Sequence, residues 1–300
     1  MHRETFRDLT VPRAAALSEL LVDPVETHLD GRRLVKLRRW VRSELQHGWP
    51  GGDRAPLRVD IYSIRNQRVG QDQPFSWTPH RARRPIGLEC VRGCVSQRAQ
   101  APAEASFAAI NKLEKGRGSL ARWVSSLGAC ARAAVQAEAV LWATHLLGAV
   151  EWNRLRNPIV GADLSVRVAS NALIRTRIDL LLSGRPPCTP PGGRRADAHA
   201  STLTLMTGTP MQTSRLELGL VALGMTLSNG ALATPGRAIG WWPQCGRLIV
   251  VPVTFDLLEE VGTMLSHLVG AAAAEQGLAS AARGRNGHAI QPRFERAKVA

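Results

Sequence analysis

From Ala129 to Val253 the apolar pattern of this 300-residue chain switches repeatedly between helical and strand spacing, and that alternation limits the fold more than any other feature. Residues 129–152 place Val135, Ala139, Trp142, Leu146 and Val150 on one helical stripe. Pro158 then opens two strand-like runs, Ile159–Ala169 and Leu173–Leu182, with Ser170-Asn171 as the hairpin turn between them. Ser201–Thr207 reads as a third strand and Ser214–Leu227 as a helix. Arg237–Trp242 and Arg247–Val253 form a second hairpin around Pro243–Gly246, and Phe255–Glu275 reads as a closing helix. The order therefore predicts a mixed α/β (α+β) sheet flanked by helices, not a doubly wound parallel one.

The first part of the chain is less regular. Residues 1–45 read as helices: Ala14–Val22 is apolar, and Leu34–Val41 mixes apolar and basic positions at helical spacing. His47–Asp53 is a loop by its breakers, and Leu57–Tyr62 alternates like a half-buried strand. Residues 66–85 are polar and irregular, and they hold Trp77 and the basic cluster His80-Arg81-Ala82-Arg83-Arg84. Short helices are expected near 86–98, 102–114 and 119–127. Pro186–Ala200 is a surface loop rich in Pro, Gly and Arg. The expected organisation is a mostly helical region over 1–128, an α/β core over 129–276, and a disordered basic tail over 277–300.

Charge points toward a polyanionic partner. The formal net charge is +15, distributed as +7, +6 and +2 over successive hundreds of residues, and only Lys36, Lys112, Lys115 and Lys298 among the cations are lysines. The planar arginine fork suits phosphate, although a GC-rich genome also enriches arginine. Arg81, Arg83, Arg84, Arg175 and Arg177 are the candidate nucleic-acid contacts, with DNA expected in preference to RNA. No apolar run approaches the roughly 18–20 residues that span a bilayer, and Met1-His2-Arg3-Glu4 leads into no apolar signal stretch. A cytoplasmic location without membrane contact is expected. The five cysteines, at 90, 94, 130, 188 and 245, form no disulfide framework; Cys90 and Cys94 share a helical face but lack two further metal ligands, so they read as structural thiols.

Common enzyme signatures are missing: the phosphate loop ending in Lys-Ser/Thr, His-Glu-x-x-His, and Gly-x-Ser-x-Gly. Gly116-Arg117-Gly118-Ser119-Leu120-Ala121 follows a charged helical stretch instead of a strand, so it reads as a loop before a helix. Three other places carry a resemblance. They are Ala137-Glu138-Ala139 on the long helix, Arg177-Ile178-Asp179 on the second strand, and Leu203-Thr204-Leu205-Met206-Thr207-Gly208 on the third. In order and spacing, over roughly 129–255, they resemble the PD-(D/E)XK nuclease superfamily and its RecB-like branch, with an αβββαβ core. The resemblance implies that Glu138 and Asp179 face a catalytic Mg²⁺, and that the third place would read Val-Asp-Tyr-Lys-Thr-Gly.

At that third place the sequence departs. The carboxylate position is Thr204 and the lysine position is Met206. A hydroxyl is neutral, and a thioether donates no hydrogen bond to a nucleophilic water. Losing such a preorganised donor costs about 10²–10³ in rate. The family's later Gln-x-x-x-Tyr motif is absent as well, since Glu217 and Val221 stand there. The resemblance therefore implies a degenerate site that binds nucleic acid through a basic surface, with Mg²⁺ engaged only if catalysis survives. Two other readings stay open: a non-catalytic scaffold whose charge reflects composition, and a diverged metal-dependent nuclease. Taken without the resemblance, Asp179 caps a turn or pairs with Arg175 or Arg177, Glu138 is a solvated helix residue, and Met206 fills core. Trp241-Trp242 reads as a stacking platform for bases or as core, with at least one ring buried.

Overall fold

The structure is a computed structural model that describes residues 5–8, 29–49, 57–59, 77–98, 100–155, 158–169, 172–182, 201–206, 214–228, 234–242 and 247–286. Its centre is a mixed sheet. Strands β1 (Thr5–Asp8), β2 (Leu57–Val59), β3 (Ile159–Ala169), β4 (Ala172–Leu182), β5 (Ser201–Leu205), β6 (Arg237–Trp242) and β7 (Arg247–Pro252) join in the order β1-β7-β6-β5-β4-β2, with β3 on the other edge of β4. The helices are α1 (Gly31–Gly48), α2 (Pro79–Val95), α3 (Pro102–Glu114), α4 (Ser119–Ser125), α5 (Ala129–Ala149), α6 (Ser214–Leu227) and α7 (Phe255–Asn286).

The long hairpin is the frame of the sheet. β3 and β4 pair antiparallel, and Ala169 opposes Ala172, which leaves room for the two-residue connection expected at Ser170-Asn171, itself outside the described residues. β5 pairs antiparallel with the far end of β4, Leu180 opposite Leu203. β6 then lies parallel to β5, which requires the chain to cross over between them, and α6 makes that crossing. β7 returns antiparallel to β6.

Two apolar cores sandwich the sheet. On one face Leu37, Val41 and Leu45 of α1, spaced four apart, meet α6, α7 and the Leu164, Val166, Val168, Ile174 and Ile178 side of the hairpin. α6 is apolar all round and buried from Glu217 to Leu227, as a helix enclosed between a sheet and two other helices must be. A Cβ on its Gly219 would meet Val261 Cγ2 at 2.7 Å, so glycine sets the close approach to α7. Arg38 Nε and Arg42 Nη2 donate to Thr226 O and Leu227 O, satisfying carbonyls that the last turn of α6 leaves unpaired. On the other face α2, α3 and α5 pack their own core against Leu180, Leu182, Leu203, Leu205, Ile239 and Trp241.

Several expectations need correction. Residues 5–8 form a strand paired with β7, not a helix, and β1 and β2 bring the first part of the chain into the central sheet. The cluster 80–84 lies inside a helix. α2 starts at Pro79 under the Thr78 cap, whose side chain accepts from the Arg81 N–H, and it runs through Pro85. Interior proline costs a helix about 3 kcal/mol, but here the burial of Ala82, Ile86, Leu88 and Val91 holds the continuous helix against the second core. α5 stops at Ala149, before a short 3-10 turn at Trp152–Arg154. α7 runs on to Asn286, past the Glu275 end and into the expected tail. His47 and Gly48 belong to α1. The segments 14–22, 50–53, 60–62, 66–76, 186–200 and 287–300 lie outside the described residues.

Candidate functional site

Asp179 sits where the inward pattern of the hairpin shifts. Along β4, Ile174 and Ile178 belong to the α6 core, whereas Leu180 and Leu182 belong to the α2 core. β3 makes the same change, from Leu164 in the first core to Val160 in the second. Between them Gly161 adopts φ +63, a conformation that costs glycine little and other residues more. The shift turns the Asp179 carboxylate toward α2.

There it meets an arginine that sequence spacing does not reveal. Arg84 Nε lies 3.1 Å from both carboxylate oxygens, and Arg84 Nη2 lies 2.6 Å from Oδ2. The Leu205 backbone N–H donates to the same Oδ2 at 2.7 Å. Asp179 is 0% exposed and the Arg84 side chain 12% exposed, so this is a buried, forked ion pair. Its partner is neither Arg175 nor Arg177. A buried carboxylate persists only when its charge and lone pairs are answered, and Arg84 with the Leu205 amide answers them.

Glu138 has a different arginine. Its side chain, on α5, remains 45% exposed and approaches Arg83 Nη1 at 3.7 Å, too far for a hydrogen bond. The Arg83 guanidinium also lies 4.9 Å above the Trp142 ring, a cation–π contact within α2–α5 packing. Burial lowers the Arg83 pKa, and the Glu138 charge pulls it back up. The adjacent arginines 83 and 84 thus engage separate carboxylates from two elements.

Thr204 and Met206 flank the Leu205 amide that binds Asp179. Both are buried, at 2% and 5% exposure, and Thr204 Oγ1 has no hydrogen-bond partner among the described residues. Glu217 and Val221 are buried on α6. This donor set does not fit Mg²⁺, which demands near-octahedral oxygen ligation and dehydrates reluctantly. The Asp179 oxygens accept from Arg84 and Leu205, and the third position offers one neutral hydroxyl. Among the described residues, no group of three His, Cys, Asp or Glu side chains could hold a metal ion.

The basic residues divide. Arg81 is exposed at the start of α2, whereas Arg83 is buried and Arg84 is held by Asp179. The expected phosphate role of 83 and 84 is thus opposed by their inward packing. Arg175 is exposed and Arg177 half-buried on the face of β4 that carries none of the α6 core; the register sets them opposite Ser165 and Asp163, with exposed Arg167 further along β3. Arginine therefore gathers on the open face of the hairpin, as its alternation with Ile174, Thr176 and Ile178 allowed one to read.

The remaining candidates are structural. Trp241 and Trp242 are both buried, so neither presents a stacking face. Trp77 Nε1 donates to Ser119 Oγ at 3.0 Å, and Ser119 opens α4 directly after Gly118, as the glycine-rich stretch implied. Cys90 is buried and Cys94 half-buried, both free thiols. Burial, with the neighbouring Cys94, pushes the Cys90 thiol up to about 12. A shallow cleft of about 390 Å³ between α1 and α7, lined by Arg33, Lys36, Leu37, Trp40, Glu259 and Thr263, opens on the opposite side of the sheet from α2. No helix among the described residues is long and apolar enough to cross a membrane. No family model matches the chain, and no curated protein matches it.

Proposed function

We propose that this chain is a PD-(D/E)XK-like, RecB-like protein that binds nucleic acid, DNA in preference to RNA, through a basic surface and does not cut it. The observation that carries the reading is the forked ion pair between Arg84 and Asp179. The aspartate that the resemblance assigns to a metal faces a guanidinium instead, which supplies the positive charge but no Lewis acid and no bound water. The buried Thr204 and Met206 agree with that, since neither provides a second carboxylate or a cation to orient a nucleophilic water. The net charge of +15 and the arginine-bearing face of β3 and β4 support binding without chemistry.

The test uses purified protein with fluorescent single- and double-stranded oligonucleotides, with Mg²⁺ or Mn²⁺ present. Binding is expected to be sequence-independent and to weaken steeply with salt as released counterions are lost from the driving force. No shortened product is expected. Metal-dependent cleavage abolished by Asp179→Ala overturns the non-catalytic part, and absence of binding at low salt overturns the binding part in favour of a scaffold.

A further inference from the structure

We propose that Gly161 and Arg177 form a phosphate-binding notch on the α2 side of the hairpin, with Arg92 fixed behind it as a second positive charge. The inference rests on the nucleic-acid reading above and names where a backbone phosphate docks.

The notch begins with a missing side chain. A Cβ placed on Gly161 would lie 2.7 Å from Arg92 Nη2 and 3.2 Å from Arg177 Nη2. Two guanidinium groups therefore close on the Gly161 backbone and on each other, an approach that a residue without a Cβ, here at φ +63, permits.

The two arginines are not equivalent. Arg92 is held: its Nε and Nη2 donate to Val160 O at 2.8 and 2.6 Å, Nη2 also reaches Gly161 O, and Nη1 pairs with Glu89. Its orientation is fixed and its donors are largely used. Glu89 is shared in turn with Lys112 Nζ at 3.1 Å, so its charge is answered twice. Arg177 differs. Among the described residues it makes no hydrogen bond or ion pair, and its Nε is buried without an acceptor. Asp163, its cross-strand neighbour, is exposed and forms no ion pair with it among the described residues. An unanswered guanidinium beside a second fixed cation calls for an anion with at least two oxygens, and a phosphate meets that fork. Arg175 lies two residues along the same face, about 6.6 Å away at the rise of a strand, and Arg167 faces the same side from β3. That line of cations suits successive phosphates of one nucleic-acid strand better than an isolated carboxylate.

The experiment uses the full chain and two probes. The first is a fluorescent oligothymidylate, with affinity measured by anisotropy over a range of NaCl concentrations. Arg177→Gln is expected to weaken binding about tenfold and to reduce the salt slope by about 1. Arg177→Lys should recover part of the affinity, because it keeps the charge and loses the fork. Unchanged affinity and slope in a folded Arg177→Gln protein overturn the notch while leaving the nucleic-acid reading intact. The second probe is inorganic phosphate, titrated into wild-type protein while the arginine Nε–H resonances are followed by NMR. A saturable shift of the resonance missing from Arg177→Lys spectra supports the notch even where the oligonucleotide fails to bind, an outcome that sinks the nucleic-acid reading alone. A resonance that does not move overturns the notch, and this arm needs no variant that binds or folds differently from wild type beyond the conservative lysine.

Discussion

Removing Arg84 is the sharpest probe of the site. Arg84→Ala leaves the Asp179 carboxylate with one donor among the described residues, the Leu205 N–H, in a position with no exposure to solvent. The lost partner supplied Nε to both oxygens and Nη2 to Oδ2. Stranding one member of a buried ion pair costs about 3–5 kcal/mol, which is a large share of the roughly 5–15 kcal/mol that holds a typical domain together. Urea unfolding followed by circular dichroism is expected to show a loss of that size, with the same direction for Asp179→Asn, which removes the carboxylate charge that faces Arg84. The paired replacement Arg84→Met with Asp179→Leu should recover most of the loss, because it removes both charges and keeps apolar volume. A cost below about 1 kcal/mol for Arg84→Ala refutes the buried-pair argument. Mn²⁺ provides a second check. Arg84→Ala protein should gain no thermal stability from added Mn²⁺, since the remaining groups do not complete a coordination sphere. A metal-dependent rise in Tm, which mass action gives to any ligand of the native state, would show that the arginine had been covering a usable metal site.

Two more outcomes follow from burial. Thr204→Asp with Met206→Lys should fail to create cleavage with Mg²⁺ and should lower the urea midpoint, because both positions lie in the core and newly buried charges need partners; a stable, cutting variant refutes this. The Cys90 pKa lies well above its ordinary 9.0, so the folded state favours the protonated thiol. Its contribution to stability is therefore complete below pH 9 and lost as pH rises from there toward about 12. Stability measured across that window should fall less in Cys90→Ala than in wild type, and equal slopes would show that the thiol is not buried as described.

Much of the fold was legible because the second half of the chain writes its periods clearly. Ile159–Ala169 and Ser214–Leu227 begin and end where the apolar pattern does. The first half was harder to read for identifiable reasons. A proline at 85 looks like a helix boundary, yet Thr78-Pro79 is the stronger start signal, a side-chain cap followed by proline at the first helical position. Strand β1 is four residues long and owes its state to pairing with β7, a tertiary effect that no local pattern encodes. The site divides in the same way. Asp179 could be picked out from its strand, but its partner lies 95 residues upstream. In sequence the Arg81–Arg84 run is a solvated basic cluster, and only the helical turn sends 83 and 84 inward while 81 stays outside.

That inward turn explains how the molecule distributes its positive charge. Two adjacent arginines on α2 are answered by carboxylates from different elements, Glu138 on α5 and Asp179 on β4. If α2 slid by one residue along the sheet, Asp179 would lose its fork and sit buried and unpaired. The pairing therefore discriminates against misdocking of α2 more than it adds net stability over an apolar contact of the same shape. A cation used in this way is largely desolvated and already faces a carboxylate, which opposes its use for a phosphate. The phosphate contacts proposed above then fall to arginines with no ion pair among the described residues, Arg167, Arg175 and Arg177 in the hairpin, and Asp179 follows Arg177 by only two residues on the same strand. The same strand thus carries, two residues apart, a half-buried guanidinium with no ion pair among the described residues and a fully buried carboxylate already supplied with a cation.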